Sequence, residues 1–98
     1  MATEPLPEDT IEQELSDLPA WNYEDDKIKA EFEFDDFRQA IAFIVQIAFE
    51  AEQRVHHPEI KNVYSTVNIA LTTHDAGNKV TEKDLDLARA IQDIGGYQ

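Results

Sequence analysis

A chain of 98 residues is sized for one domain, and such a domain buries only about two-thirds of the surface that its unfolded chain exposes. With 21 acidic and 8 basic residues the formal net charge is −13, which argues against a basic surface for direct nucleic-acid binding and disfavours a highly phosphorylated substrate. The absence of cysteine excludes disulfides and thiolate metal sites.

The amino-terminal segment lacks the features of an export signal. Acidic residues and prolines occupy positions 1–9, where a signal peptide would carry positive charge and then an apolar stretch. No apolar run approaches the roughly 20 residues that span a bilayer. We therefore expect a cytoplasmic protein without membrane contact, formed by a single domain over 1–98 in which 1–8 is a flexible acidic tail.

The first predicted element is a short helix over about 10–17. Ile11, Leu15 and Leu18 fall on one face of this helix, and Pro19 ends it.

A β-hairpin is predicted next. Trp21 and Tyr23 indicate a short strand, and Asp25-Asp26 is a turn signal. From Ile28 to Phe34 apolar residues alternate with Lys and Glu, which is typical of a strand with one dry and one solvated face.

A long apolar helix is predicted between Phe37 and Val55, and Pro58 stops it. Apolar side chains flank its main stripe on both sides, so we expect a second partner beyond its own sheet, namely another subunit. The stripe predicted to pack on the sheet comprises Phe37, Ile41, Ile44, Ala48, Ala51 and Val55, flanked by Phe43 and Ile47 on one side and by Ala42 and Phe49 on the other.

The remainder predicts a strand region over 63–71 and a last helix over about 82–94. Thr81 and Asp84 resemble a helix cap with an acidic third residue, and Gly95-Gly96 ends the helix. The order of helix, two strands, helix, strands and helix predicts an α+β fold, with the helices on one face of an antiparallel sheet.

All three histidines lie at the ends of predicted elements. His56 and His57 follow the long helix directly, and His74 lies just past the strand that finishes near Thr72. Histidine can donate and accept protons near neutral pH, so these residues are candidates for acid–base catalysis. Glu52, one helical turn before His56, is placed to orient an imidazole.

Plainer interpretations of the histidines stay open. A His-His pair in a loop is often surface polarity or a helix cap, and three histidines could instead bind zinc with an open fourth position. The chain carries no Gly-rich phosphate loop, nucleophile elbow or cysteine nucleophile, so covalent catalysis has no candidate.

Several fixed spacings resemble the signature of the pterin-4a-carbinolamine dehydratases. An acidic residue is followed by His-His-Pro, an aromatic residue, a third His and then an Asp. Leu71–Gly77 resembles the family's loop, and similarity extends to Leu15–Trp21 and Phe34–Phe43, almost the whole chain. Two departures are Ile60, where the family often has Trp, and a turn after His74 that is about one residue longer. The signature residues are Glu52, His56, His57, Pro58, Tyr64, His74 and Asp84.

The resemblance implies a fold and an assembly. It implies a four-stranded antiparallel sheet with three helices packed on one face. Family members form dimers or dimers of dimers through joined sheet edges and bundled long helices, which implies a homodimer or homotetramer here.

The resemblance also implies a reaction and roles. The chain would be a carbon–oxygen lyase that dehydrates 4a-hydroxytetrahydrobiopterin to quinonoid dihydropterin, recycling the pterin of aromatic amino acid hydroxylases without metal or organic cofactor. His56 and His74 would be the acid and base, His57 would hold or polarise the pterin, and Glu52 would orient a histidine or bind the ring. Substrate-binding residues would be Val55, Pro58, Thr72, Thr73 and Asp75, with Tyr64 and Asp84 in support.

Two other functions remain open from the sequence. Some family members also act as dimerisation cofactors of a homeodomain transcription factor, so a non-catalytic coactivator-type interaction module is one alternative. A metal-dependent hydrolase or metal-binding protein built on the histidines is the other.

Overall fold

A computed structural model describes residues 4–95 as three α-helices and one four-stranded antiparallel sheet, which confirms the predicted α+β class. A single 3₁₀ turn, His74–Ala76, precedes the last helix. The elements in chain order are α1 (Glu8–Leu15), β1 (Trp21–Glu24), β2 (Lys27–Glu33), α2 (Phe37–Arg54), β3 (Glu59–Val63), β4 (Thr66–Leu71) and α3 (Glu82–Gly95).

The sheet has the strand order β1-β2-β4-β3, so β3 is an edge strand. Asp25 and Asp26 have φ values of 56° and 61°, as a two-residue type I′ turn requires between β1 and β2. Strand alternation divides the sheet into a face that is buried under the helices and a face that is polar. The buried face of the two central strands consists of Ile28, Ala30 and Phe32 from β2 and Val67, Ile69 and Leu71 from β4.

The predicted strand region over 63–71 is a hairpin of two strands. Val63 ends β3, Thr66 begins β4, and Tyr64 between them has a positive φ of 52°. The sequence did not reveal β3 because an edge strand with Glu59 and Lys61 shows no apolar alternation.

The face of α2 that packs on the sheet was predicted wrongly. Phe37, Ile41 and Val55 of the predicted stripe are 56%, 37% and 78% exposed, and Ala48 is exposed as well. Because α2 is apolar on several sides, helical spacing alone could not identify which side meets the sheet. The buried residues of α2 are Ala40, Phe43, Ile47 and Ala51, of which only Ala51 belonged to that stripe.

Phe43 is the central contact between α2, the sheet and α3. Its ring centroid lies 4.9 Å from those of both Phe32 and Phe34. A Cβ atom on Gly95 would come 2.8 Å from Cε1 of Phe43 and 3.2 Å from Cδ1 of Phe32. The last turn of α3 therefore approaches the sheet closely only because residue 95 has no side chain.

The beginning of the described chain is attached to the domain. The backbone N–H of Leu6 donates to the carbonyl of Val80 over 2.9 Å, and α1 begins at Glu8, two residues before the predicted start. The predicted flexible tail therefore differs from the structure at these residues, and its first three residues lie outside the described range, as does Gly96 at the predicted helix end. Within 4–95 no helix is long and apolar enough to cross a membrane.

Candidate functional site

The end of α2 places its two histidines in different environments. Val55 adopts the left-handed conformation (φ 50°, ψ 45°), and the N–H groups of Val55 and His56 donate back to carbonyls of the last helical turn, including that of Ala51. The chain turns sharply there. His56 is consequently only 8% exposed, whereas the side chain of His57 is 64% exposed.

A buried carboxylate holds His56. Oδ1 of Asp84, which is fully buried, lies 2.5 Å from Nε2 of His56. Oδ2 accepts two hydrogen bonds, from the backbone N–H of Thr81 at 2.9 Å and from Oγ1 of Thr73 at 2.8 Å. Because this carboxylate acts as an acceptor, Nε2 of His56 is the donor in their contact.

The predicted cap of the last helix is confirmed. Oγ1 of Thr81 accepts from the N–H of Lys83, while Asp84 accepts from the N–H of Thr81, as in a capping box. Oγ1 of Thr73 lies 2.7 Å from Oγ1 of Thr81, and both threonines are buried. The cap thus extends into a polar network that joins the start of α3, the end of β4 and the end of α2.

His74 follows this network directly in the chain. It begins the 3₁₀ turn and is exposed, with Nδ1 3.1 Å from Oδ1 of Asn78. Gly77 and Asn78 have φ values of 75° and 62°, which allow the loop to fold back, so that the N–H of Thr73 donates to the carbonyl of Lys79. Since Asp84 binds both His56 and Thr73, the segments that carry the three histidines meet at one end of the fold.

Glu52 contacts His57 rather than His56, the partner that its helical spacing suggested. Its Oε1 lies 3.1 Å from Nε2 of His57, and both side chains are exposed. The helix ends at Arg54, so the spacing of one helical turn does not continue to His56. In water such an exposed pair is weak.

Asp26 anchors the other side of the loop that follows β4. Its backbone carbonyl accepts from Oγ1 of Thr72 at 3.1 Å, and its carboxylate forms a 3.1 Å ion pair with Lys79. The pKa of Asp26 is lowered, chiefly by the hydrogen bond from Lys79 and then by that from Tyr23. The turn between β1 and β2 therefore helps to fix the segment that carries His74.

Some of the remaining predicted site residues lie around the histidines and others do not. Val55 and Asp75 are exposed and Pro58 and Thr72 half-buried around the histidines, but the hydroxyl of Thr73 faces the buried network. Tyr64 does not join them, because it lies at the opposite end of β3. The sequence missed the structural roles of Asp26 and Asn78, which stood out only as turn residues.

The His, Asp and Glu side chains of the described residues do not form a metal site. Between residues 4 and 95 no three His, Asp or Glu side chains lie close enough together to hold an ion. The zinc interpretation of the three histidines therefore finds no cluster of ligands among these residues.

Comparisons with known proteins agree on one family. The family described as "Pterin 4 alpha carbinolamine dehydratase" matches residues 4–94. A protein of Opitutus terrae named "Putative pterin-4-alpha-carbinolamine dehydratase" is 49% identical over 84 residues, 86% of this chain and 87% of its own. One of the same name from Christiangramia forsetii is 45% identical over 91% of both chains. The crystal structure of a "transcriptional coactivator/pterin dehydratase" from Brucella melitensis superposes with a TM-score of 0.88 at 38% identity, covering 94% of this chain and 99% of that one.

Proposed function

Because the chain belongs to the pterin 4 alpha carbinolamine dehydratase family, we propose that it dehydrates 4a-hydroxytetrahydrobiopterin to quinonoid dihydropterin and water. The observation that supports this most directly is the contact of Asp84 with both His56 and Thr73, which brings the histidine-bearing segments to one end of the fold. In this proposal the enzyme works in the cytoplasm and recycles the pterin of aromatic amino acid hydroxylases.

The reaction requires two proton transfers on neighbouring atoms of the substrate. An acid protonates the hydroxyl at C4a, the C–O bond breaks and water leaves. A base takes the proton from N5, whose electron pair forms the new C=N bond. One proton is given and one is received, so two imidazoles suffice and no redox partner is needed.

Exposure indicates which histidines would perform these transfers. A catalytic acid or base must come within about 3 Å of the atom that it serves. His57 and His74 are exposed, and within residues 4–95 the second ring nitrogen of each, Nδ1 of His57 and Nε2 of His74, has no hydrogen-bond partner. His56, by contrast, is buried with its Nε2 held by Asp84. We therefore assign the acid and base to His57 and His74, in place of the His56–His74 pair expected from the sequence.

The other residues around the histidines would bind and orient the pterin. Glu52 would hold His57, and His56 would fix the chain from which His57 projects. Side chains or backbone groups of Val55, Pro58, Thr72 and Asp75 would contact the ring, with Thr73 contributing its backbone only.

A direct assay of 4a-hydroxytetrahydropterin decay tests this proposal. His57→Ala and His74→Ala should each lower kcat by roughly 10²- to 10⁴-fold, as expected for loss of an acid–base group. Gln53→Ala, an exposed change beside Glu52, is the matched control and should leave turnover unchanged. Near-normal turnover in both histidine variants would contradict the assignment.

An exposed apolar face on α2 favours self-association and a second candidate function. Phe37, Val45 and Phe49 are 56%, 49% and 72% exposed at spacings of eight and four residues, on one side of the helix. Bundling of α2, together with joined sheet edges, would give the homodimer or homotetramer expected for the family. The same face could bind another protein, since the similar Brucella structure is described as a transcriptional coactivator as well as a pterin dehydratase.

Phe49→Ser separates these two uses of the face. If α2 serves assembly, the variant should shift the mass in solution to a smaller oligomer while its chains stay folded. An unchanged mass would leave the face to another partner, and would contradict bundling of α2.

A further inference from the structure

Tyr64 carries a large aromatic side chain that does not pack into the core of its own chain. Its side chain is 83% exposed, and a positive φ, unusual for a bulky residue, presents it at the tip of the turn after β3. Six residue steps along β3, roughly 20 Å, separate it from Pro58 at the other end of the strand, and His57 is one residue further. Tyr64 therefore cannot reach the histidines of its own chain.

The strand beside Tyr64 is an open sheet edge. Only β4 pairs with β3, so one row of β3 backbone N–H and C=O groups has no strand partner within the described chain. Ile60 is 37% exposed, and Lys61 forms no ion pair with any residue of 4–95. The edge thus offers hydrogen bonds, an apolar side chain and an available cation to another strand.

A second copy of the chain fits this edge in an antiparallel arrangement. In one continuous sheet with the helices of both copies on the same face, residues that oppose each other across the junction point to the same side of the sheet. The two opposing residues are then an even number of positions apart in sequence, so the twofold axis passes through a residue of β3 and not between two residues. An axis at Ile60 sets the two isoleucines against each other and sets Glu59 against the partner's Lys61 twice. Oε1 of Glu59 already pairs with Lys27 of its own chain over 2.7 Å, so Lys61 would be a second cation at this carboxylate. An axis at Lys61 would oppose two lysines, which is unfavourable.

In the sheet-edge pairing expected for the family, taken antiparallel through β3, we propose that Tyr64 of each copy completes the histidine site of the other. With the axis at Ile60, Tyr64 lies opposite the partner's His56, one residue from the partner's His57. With the axis at Lys61 it lies opposite the partner's Pro58. The placement of Tyr64 therefore holds in either register.

The phenol ring would serve as one wall for the flat bicyclic pterin, because aromatic rings stack favourably in offset arrangements. This role rests on the proposed dehydratase function. It also explains how a residue far from the histidines in its own chain can belong to the same site.

Mixing two defective variants tests the exchange. His57→Ala and Tyr64→Ala are each expected to be impaired in dehydration, by at least about tenfold for Tyr64→Ala. In a dimer containing one of each, one site carries both defects and the other carries none. A re-equilibrated equal mixture should therefore recover intact sites amounting to about a quarter of the total. No recovery, or full activity of Tyr64→Ala alone, would overturn the proposal.

Cross-linking tests the geometry without any assay of activity. The chain has no cysteine, so single cysteines report cleanly. Ile60→Cys should form a disulfide with its copy under mild oxidation, whereas Asn22→Cys on the opposite edge strand, β1, should not. An equal mixture of Asn62→Cys and Pro58→Cys, which face each other in the same register, should give the mixed disulfide.

These results separate the two proposals. If the cysteine variants cross-link at Ile60 and between Asn62 and Pro58 while the wild type lacks dehydratase activity, the proposed function is overturned and the pairing stands. Failure of both cross-links would overturn the pairing, whatever the wild-type activity.

Discussion

Asp84 joins the start of α3 to the end of α2, its Oδ1 lying 2.5 Å from Nε2 of His56 in a fully buried position. Asp84→Asn replaces an acceptor by a group that must also donate, and it leaves at least one buried neighbour without its partner. We expect the free energy of unfolding to fall by about 2–3 kcal/mol. Urea denaturation measures it.

Asp86→Asn is the matched control for this prediction. Asp86 lies two residues further along the same helix, is 58% exposed and pairs with Arg54. An exposed pair of this kind contributes at most about 1 kcal/mol. Equal losses of unfolding free energy in the two variants would show that the buried network contributes no more to stability than the exposed ion pair.

The hydroxyl of Thr73 is expected to position His74 through Asp84 and Thr81. Thr73→Val keeps the shape of the side chain but removes a hydrogen bond to each of these partners. We expect kcat to fall while KM changes little, and the free energy of unfolding to fall by about 1–2 kcal/mol. Thr73→Ser, which keeps the hydroxyl, should recover most of both. Thr66→Val, which loses only an exposed hydrogen bond to Glu33 away from the histidines, is the control. An equal loss of kcat in the valine and serine variants would refute the role of the hydroxyl.

The sequence predicted those features whose cause is local. The hairpin turn at Asp25-Asp26, the cap by Thr81 and Asp84, and the alternation in β2 each depend on neighbouring residues. The buried side of α2 depends instead on what lies opposite, where Phe43 meets Phe32 of β2 and Phe34, the residue that follows β2. Tertiary packing of this kind leaves no trace in helical spacing.

The same distinction between local causes and tertiary contacts applies to the candidate site. Spacing along the chain identified the histidines and Glu52, but it could not show that His56 turns inward while His57 turns outward. That difference results from the left-handed conformation of Val55, which a β-branched residue rarely adopts. Contacts between distant segments, such as that of Asp26 with Lys79, were likewise invisible.

Val55→Gly should stabilise the protein. The left-handed conformation costs a residue with a Cβ about 1–2 kcal/mol, and the extra freedom of glycine in the unfolded chain offsets about 0.5–1 kcal/mol of this. A net gain of about 0.5–1 kcal/mol is expected in urea denaturation. Gln46→Gly, a change to glycine at an exposed polar position within α2, should instead destabilise by about 1 kcal/mol. Destabilisation by both changes would show that Val55 carries no strain.

Acid should weaken the anchor at Asp26. Its pKa is lowered in the folded protein below the ordinary value near 3.8, chiefly because Lys79 donates to the carboxylate. The stabilisation is therefore fully present above the unfolded value and is lost as the pH falls through the folded one. Asp26→Asn should show a shallower loss of stability than wild type below about pH 4, measured by denaturation from about pH 6 to about pH 2.5. Parallel curves for the two proteins would contradict this contribution.

Gly95→Ala should destabilise the fold although alanine is the better helix former. The added Cβ would come 2.8 Å from Cε1 of Phe43, whose ring is held between Phe32 and Phe34 and cannot move freely. We expect a loss of about 1–2 kcal/mol in urea denaturation, because overpacking a filled core forces its side chains from their preferred positions. In a Phe43→Leu background the same change should cost less, since the smaller side chain leaves room for the methyl group. A cost that is independent of residue 43 would place the strain in the backbone of α3 and not in this contact.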